Sequence, residues 1–234
     1  MPSESDRIRE QARTRGRNSS GEATRIKLIS VAETMFADRG IAAVSLNEIR
    51  LAAGQSNAAV VNYHFGSKED LIKAILEDRL ERIDEDRERI LDQALSGGDP
   101  VELRRLLAAL ILPQVSSIER GERHVELVAQ LLFQGYGEPG GHAWVLADPP
   151  LTGHGQRLNQ LIWEHLSHLP DAVATARLRF VYGSCLNAMA DHQRQRATAS
   201  DAPPTAVFVS DLIDSLIAVI RAPASAETLD ALRA

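Results

Sequence analysis

The chain has 234 residues, of which 44% are hydrophobic and 25% are charged, a balance typical of globular proteins and unlike that of disordered or collagen-like chains. Its net charge is −6, and a single cysteine, Cys185, excludes an intrachain disulfide and favours a reducing, cytoplasmic compartment. No apolar run approaches the roughly 18 residues of a membrane-spanning helix, and residues 1–20 lack a signal-peptide core, so we expect no membrane association.

The charge is unevenly distributed along the chain. Residues 1–70 carry ten basic and nine acidic side chains, a net charge of +1, whereas residues 71–234 carry sixteen and twenty-three, a net charge of −7. Any surface that binds nucleic-acid phosphates is therefore expected within the first seventy residues.

The N-terminal sequence predicts an arm followed by a helix. Residues 1–20 contain five arginines among small polar residues and offer almost nothing apolar to bury, so we expect a flexible arm. From Glu22 onward, apolar residues recur at spacings of three and four until Gly40, which predicts the first helix.

Two short helices with a tight turn between them are predicted next. Ser45 and Glu48 form a capping-box pattern that opens a helix of about two turns ending at Gly54. A further helix is predicted from Ala58 to His64. This arrangement is the helix-turn-helix pattern, in which the second helix enters a DNA major groove about 12 Å wide.

The remainder of the chain brings the predicted total to about nine helices in an all-α fold. Six glycines and three prolines between Gly135 and Gly155 predict a long loop. We expect a flexible Arg-rich arm at 1–20, a helix-turn-helix domain at 21–70, a larger helical domain at 71–222 and a flexible tail at 223–234. The helices of the larger domain are predicted from Ser67 to Leu95, Asp99 to Ile111, Glu122 to Gln134, Leu158 to Leu169, Asp171 to Arg196 and Val207 to Ile220.

Three stretches of the N-terminal region carry a family pattern. They are Phe36–Gly40, Ser45–Gly54 and Tyr63–Leu71. Together they resemble the TetR/AcrR family of bacterial one-component repressors over residues 24–72. The resemblance implies an N-terminal DNA-binding domain and a larger ligand-binding and dimerisation domain. It also implies a homodimer that binds a palindromic operator in double-stranded DNA and is released by a small-molecule effector.

The chain departs from the family pattern by one residue, because Gly54 and Phe65 are eleven positions apart instead of the usual ten. If the additional residue lengthens the turn, Asn57 becomes a helix cap and Gln55 extends outward. If it lies within the helix, Asn57 and Asn62 become the outward amides. The turn-tolerant residues from Gln55 to Asn57 favour the longer turn.

Polar side chains around this turn are the candidate DNA contacts. Amides pair bidentately with adenine, whereas tyrosine, histidine and lysine bind phosphate oxygens. Three of these residues have a structural alternative. Asn57 could cap a helix, Tyr63 could pack against the first helix, and Lys68 could simply be solvated. The candidates are Ser45, Gln55, Ser56, Asn57, Ala58, Asn62, Tyr63, His64 and Lys68.

Two further surfaces are predicted in the larger domain. One is an apolar effector cavity, for which ordinary core packing is the alternative; its candidate lining is Leu127, Leu131, Phe133, Tyr136, Trp144 and Trp163. The other is a dimer interface on the last two long helices, whose candidates are Phe180, Gly183, Leu186, Met189, Leu212, Leu216 and Ile220.

Other classes of function have weaker support. The chain contains no P-loop, GxSxG or GxGxxG motif, so we expect no catalytic residues and no cofactor. His165 and His168 lack a further ligand at suitable spacing, which argues against a metal site. The main alternative is a helical ligand-binding or protein-interaction module whose helix-turn-helix does not contact DNA, and an all-α enzyme ranks third.

Overall fold

The computed structural model describes residues 4–96, 102–135, 153–198 and 201–233. All regular secondary structure in these ranges is helical, which confirms the predicted all-α fold, and none of these helices is both long enough and apolar enough to span a bilayer. The helices are α1 (Glu4–Arg39), α2 (Leu46–Ala52), α3 (Val60–Phe65), α4 (Lys68–Leu95), α5 (Leu103–Glu119), α6 (His124–Gly135), α7 (Gly153–Glu164), α8 (Asp171–Thr198), α9 (Thr205–Arg221) and α10 (Ala226–Ala231).

The chain forms two compact units, Met1–Leu76 and Glu77–Ala234, which divide within α4. In the first unit, α1 packs against α2 and α2 against α3. Apolar side chains from these helices and from the start of α4 form its core, because their spacing of three and four places them on one face of each helix. The largest fully buried members are Leu28, Ile29, Phe36, Ile49, Leu71, Ile72 and Ile75.

The second unit is a bundle in which α6 and α9 pack on α8, and α5 packs on α7 and α9. Its core is one continuous apolar cluster that extends from Leu91 on α4 to Ile220 on α9. Burying a leucine or isoleucine side chain contributes about 1.5–3 kcal/mol, so this cluster is the main source of stability for the unit.

The structure corrects the expectations for both chain ends. Helix α1 begins at Glu4, so residues 4–20 of the expected arm are helical. The expected tail contains α10, which begins after Ser225, whose hydroxyl accepts a hydrogen bond from the Thr228 N–H at 3.2 Å. Residues 4–20 are rich in Arg with two Glu and one Gln, and residues 226–231 contain Ala, Glu and Leu, all of which favour helix. A polar composition therefore indicated exposure but not the backbone conformation.

The expected loop between Gly135 and Gly155 falls mainly on residues 136–152, outside the described ranges. At its far end, α7 begins at Gly153, five residues before the predicted Leu158. The apolar periodicity marks only the buried turns of a helix, and α7 starts with polar residues that carry no such signal.

Candidate nucleic-acid interface

The start of α2 is fixed by a complete capping box. The Ser45 hydroxyl accepts from the Glu48 N–H at 3.2 Å, and Glu48 Oε2 accepts from the Ser45 N–H at 2.9 Å. Arg39 Nη2 lies 2.6 Å from Glu48 Oε1 and so links the end of α1 to this cap. The hydrogen bonds from Arg39 and from Ser45 lower the pKa of Glu48 to about 2.

The end of α2 is a Schellman motif centred on Gly54. Gly54 has φ of +68°, the left-handed region that glycine adopts without steric cost. Its N–H bonds to the Leu51 carbonyl at 2.9 Å, and the Gln55 N–H bonds to the Arg50 carbonyl at 3.0 Å. The helix end is therefore closed by main-chain hydrogen bonds.

The Arg50 side chain also returns to this turn. Its Nη1 donates to the Gln55 carbonyl at 2.5 Å and lies 3.4 Å from the Ser56 carbonyl. Its Nε and Nη2 donate to Asn47 Oδ1 at 3.1 and 2.9 Å. Neither Arg50 nor Asn47 was among the predicted site residues, although an arginine in the last turn of a helix is a recognised signal for carbonyl binding.

The connection from Gly54 leads to a late start of α3. Asn57 Oδ1 accepts from the Ala59 N–H at 3.0 Å, and α3 begins only at Val60, two residues after the predicted start. Ala59, rather than Asn57, is the N-cap of α3, Gln55 is half-buried, and Asn57 and Asn62 are exposed, so the choice between the two alternatives stays a prediction. Helix α3 is anchored by Val60, Val61 and Phe65, all of which are buried.

The predicted DNA contacts occupy this connection and the outer side of α3. Ser56, Asn57, Ala58, Asn62 and Tyr63 are exposed, and Tyr63 retains 83% of its accessible surface. The packing alternative for Tyr63 therefore has no support in the structure. Gln55 and His64 are half-buried. Ser45 is exposed, but its hydroxyl already accepts the N-cap hydrogen bond of α2.

Lys68 has a structural partner that the sequence does not reveal. Its Nζ donates to the Ile41 carbonyl at 2.8 Å and lies 6.0 Å from the centre of the Phe36 ring. The bond to Ile41 spans 27 residues of sequence and joins the first turn of α4 to the loop after α1. The ammonium group is thus engaged within the unit, and a phosphate contact by Lys68 stays a prediction.

The effector candidates are only partly described. Leu127 and Leu131 on α6 are fully buried, and Trp163 on α7 packs against the core. Tyr136, Trp144 and the side chain of Phe133 lie outside the described residues.

The predicted dimer interface needs correction. Met189, Leu212, Leu216 and Ile220 are at most 8% exposed and belong to the core of their own unit. The wide apolar face of α9 is explained by its packing on α8 and α5. On α8, Phe180 is 58% exposed and Gly183 is half-buried, whereas Leu186 packs against the core; on α9, Val207 is 57% exposed.

Two family models match the chain. One, described as bacterial regulatory proteins of the tetR family, matches residues 28–75; the other, described as a tetracyclin repressor-like C-terminal domain, matches residues 108–222. Together they cover 163 of the 234 residues. The fold and the site are those of a helix-turn-helix protein with a helical C-terminal unit. The chain belongs to the TetR family of bacterial regulatory proteins.

Individual relatives agree with this assignment. The HTH-type transcriptional repressor KstR2 of Mycolicibacterium smegmatis is 34% identical over 110 residues, which are 47% of this chain and 49% of that protein. The match therefore spans about half the length of that repressor. A crystal structure of a putative tetR family transcription regulator from Shewanella sp. PV-4 has the same fold, with a TM-score of 0.52 at 18% identity, covering 82% of this chain and 95% of that one.

Proposed function

We propose that the protein is a transcriptional repressor that binds a palindromic operator as a homodimer and releases it when a small molecule binds the second unit. The observation that carries the proposal is the exposed surface of Ser56–Ala59, Asn62 and Tyr63, held on a tightly anchored α2–α3 pair. Family membership and the similarity to a repressor support it. Binding to a chromosomal operator also places the protein in the cytoplasm.

The exposed residues fit the two kinds of DNA contact. Asn62 lies on α3 with a free path to solvent, and an asparagine amide pairs bidentately with adenine N6 and N7. The Tyr63 hydroxyl suits a phosphate oxygen, which fixes orientation without reading sequence. Asn57 Oδ1 already accepts from the Ala59 N–H, whereas the exposed Asn62 side chain lies on α3 itself. Asn62 is therefore the stronger candidate for base recognition.

Homodimerisation is proposed through the exposed stripe of α8. Small and apolar residues recur along it at spacings of three and four, so two copies of the helix can approach closely about a two-fold axis. A palindromic operator offers such a dimer two half-sites about 34 Å apart, the distance between successive major grooves. The stripe consists of Ala176, Arg179, Phe180, Gly183, Ser184 and Asn187.

Release by an effector is proposed to involve the apolar interior next to α6. A small molecule shifts the protein toward a non-binding state only to the extent that it binds that state more tightly. A coupling of about 1–3 kcal/mol changes operator affinity by roughly 5- to 150-fold. Leu127, Leu131 and Trp163 are the described candidates for such a site.

The test is selection of duplexes from a random library by the purified protein, followed by a mobility-shift titration with the selected duplex. We expect a palindromic site and a log–log salt slope of about −0.9 per contacted phosphate. Asn62→Ala should relax one operator position by about 1–3 kcal/mol and leave the melting temperature unchanged, since the side chain is exposed. Well-folded protein that retards no duplex at low salt would favour the alternative of a helical module that does not bind DNA.

A further inference from the structure

We propose that Arg50 is a positioning residue of the DNA-reading surface. It holds the connection between α2 and α3 in one geometry and thereby sets the direction of Ser56, Asn57 and the start of α3. This inference rests on the proposed DNA-binding function and extends it to a residue that contacts the turn rather than the DNA.

The hydrogen bonds of Arg50 enclose Gln55 from both sides. The Arg50 carbonyl accepts from the Gln55 N–H at 3.0 Å, and Arg50 Nη1 donates to the Gln55 carbonyl at 2.5 Å. The Ser56 carbonyl lies 3.4 Å from the same nitrogen. Both main-chain polar groups of Gln55 are therefore bonded to a single residue of α2.

Asn47 orients the guanidinium group. Its Oδ1 accepts from both Nε and Nη2 of Arg50, at 3.1 and 2.9 Å, one turn earlier on the same helix. The planar guanidinium can satisfy Asn47 and the two carbonyls at once because its donors point in fixed directions. A lysine at this position would keep the charge and lose that geometry.

The Arg50 side chain adds to the Schellman bonds and the Asn57–Ala59 hydrogen bond in ordering the turn. Ser56, Asn57, Ala58 and Ala59 are exposed, so burial contributes little to holding them. Fixing the backbone of each of these exposed residues costs conformational entropy. The Arg50 hydrogen bonds oppose this cost before DNA binds.

Order in the turn affects the affinity for a specific DNA sequence more than the affinity for non-specific DNA. Bidentate pairing with a base edge needs correct direction as well as distance, and hydrogen bonds weaken steeply when misaligned. Attraction to phosphates depends mainly on the number of positive charges and tolerates small displacements. Loss of the anchor should therefore reduce affinity for the selected operator and spare affinity for unrelated DNA.

The DNA experiment compares Arg50→Met, Arg50→Lys and Asn47→Ala with the parent protein. The probes are the duplex that the parent protein selects from a random library and a scrambled duplex of the same length and composition. We expect both Arg50 variants to bind the selected duplex about tenfold or more weakly, with scrambled-duplex affinity within about twofold and an unchanged salt slope. The affinity of Asn47→Ala for the selected duplex should lie between that of the Arg50 variants and that of the parent.

A measurement on the free protein tests the anchor without DNA. Amide hydrogen exchange at Gln55 and Ala59 should accelerate in both Arg50 variants, while exchange in the buried part of α4 stays as in the parent. If the parent selects no duplex, the proposed function fails, and this exchange experiment still decides whether Arg50 holds the turn. Should Arg50→Met not fold, Arg50→Lys and Asn47→Ala carry the same comparison.

Two results would overturn the proposal. In the first, Arg50→Met loses affinity equally for both duplexes and its salt slope is smaller by about one, while Arg50→Lys binds like the parent. That result would make Arg50 a phosphate contact. Unchanged exchange together with unchanged selectivity would show that the Schellman motif and Asn57 order the turn without the side chain of Arg50.

Discussion

Several cations of the first unit are bound to groups of the protein itself. Arg39 pairs with Glu48, Arg50 binds the carbonyls of Gln55 and Ser56, and Lys68 binds the Ile41 carbonyl. A count of basic residues therefore overstates the charge that is free to meet DNA phosphates. Because each such group also joins two elements, its removal should affect stability as well as charge.

Lys68 provides the first prediction. Lys68→Met should lower the free energy of unfolding by about 1–2 kcal/mol, because a hydrogen bond from a charged donor to the Ile41 carbonyl is lost. Lys73→Met removes an equal charge from the same helix, where the ion pair to Asp70 is exposed and long at 3.9 Å, and should cost about 0.5 kcal/mol or less. Urea denaturation of both variants makes the comparison. Parent-like stability of Lys68→Met combined with uniformly weaker binding to every duplex would support a phosphate contact.

Glu48 gives a pH-dependent prediction. Its pKa is lowered to about 2, below the usual 4.5 of a glutamate, by the hydrogen bond from Arg39 and by those from Ser45. The ionised carboxylate therefore stabilises the folded state above about pH 4.5, and this contribution is lost as pH falls toward 2. The parent should lose more stability between about pH 5 and pH 2 than Glu48→Gln does. Denaturation curves across this range provide the measurement, with Glu69→Gln, an exposed carboxyl in the first turn of α4, as control.

At the scale of elements, a buried polar cluster joins α4, the α5–α6 connection and α8. The Glu122 carboxylate lies 3.8, 3.4 and 3.6 Å from the guanidinium groups of Arg79, Arg82 and Arg120, and it accepts a hydrogen bond from Ser117. The Glu122 carbonyl accepts from Gln193 on α8 at 3.0 Å. Burial acts to raise the pKa of Glu122, but Ser117, Arg79 and Arg120 outweigh burial and lower it.

His124 extends this cluster into α6. Its Nε2 lies 2.7 Å from Gln114 Oε1 and its Nδ1 lies 3.3 Å from the Ser117 hydroxyl. Burial lowers the pKa of His124 to about 4, so the ring is neutral in the folded protein near pH 7. A neutral imidazole whose Nε2–H donates to Gln114 Oε1 fits the interior without an unpaired charge.

Neutralising Glu122 should therefore be costly. Glu122→Gln removes the carboxylate that the buried Arg79 shares with the exposed Arg82 and Arg120, and we expect a loss of about 2–4 kcal/mol, since breaking a buried ion pair by removing one partner is strongly destabilising. Glu119→Gln changes an exposed carboxyl on the neighbouring turn of α5 and should be nearly neutral. Thermal melting of the two variants gives the comparison. Equal melting temperatures would mean that Arg79 and Arg82 are held by other partners, with Asp78 the first to consider.

Local sequence signals predicted the elements that local chemistry determines. The capping box at Ser45 and the glycine at 54 gave the ends of α2, since both act within a few residues of the chain. Helix α5 was predicted to end near Ile111 but continues to Glu119 through Pro113, which is buried in the core. There, packing of the surrounding apolar face outweighs the low helix propensity of proline. The periodicity of apolar residues does not show which of these two effects is larger.

The candidate site was predictable to a smaller extent. Exposure of Asn62 and Tyr63 follows from the buried positions of Val60, Val61 and Phe65, a periodicity visible in the sequence. The Lys68–Ile41 bond and the contacts of Arg82 with Glu122 span 27 and 40 residues, so only the folded chain reveals them. The dimer candidates on α9 were wrong for the same reason: an apolar face does not say whether its partner is the same chain or another one.

The whole molecule is expected to act as a dimer, because one helix-turn-helix contacts only one half-site and the linked second contact raises affinity through effective concentration. Because the α9 candidates are buried within their own unit, dimerisation is better tested at an exposed residue of α8. Leu216 is 2% exposed, so a charge there would destabilise the unit itself, whereas Phe180 is 58% exposed on the α8 stripe. The matched control is Leu232, an apolar residue 48% exposed after α10 and outside that stripe.

Phe180→Asp should therefore yield a folded monomer. Two aspartates brought together at a two-fold interface would be buried like charges, which costs several kcal/mol and outweighs the contribution of a small helix–helix contact. Sedimentation velocity should show the monomer for Phe180→Asp and the dimer for the parent and for Leu232→Asp, with all three melting within a few degrees of one another. Operator affinity should fall about 100-fold or more in the monomer, because the linked second half-site contact is lost. A Phe180→Asp protein that sediments as the parent dimer would place the interface on another face of the second unit.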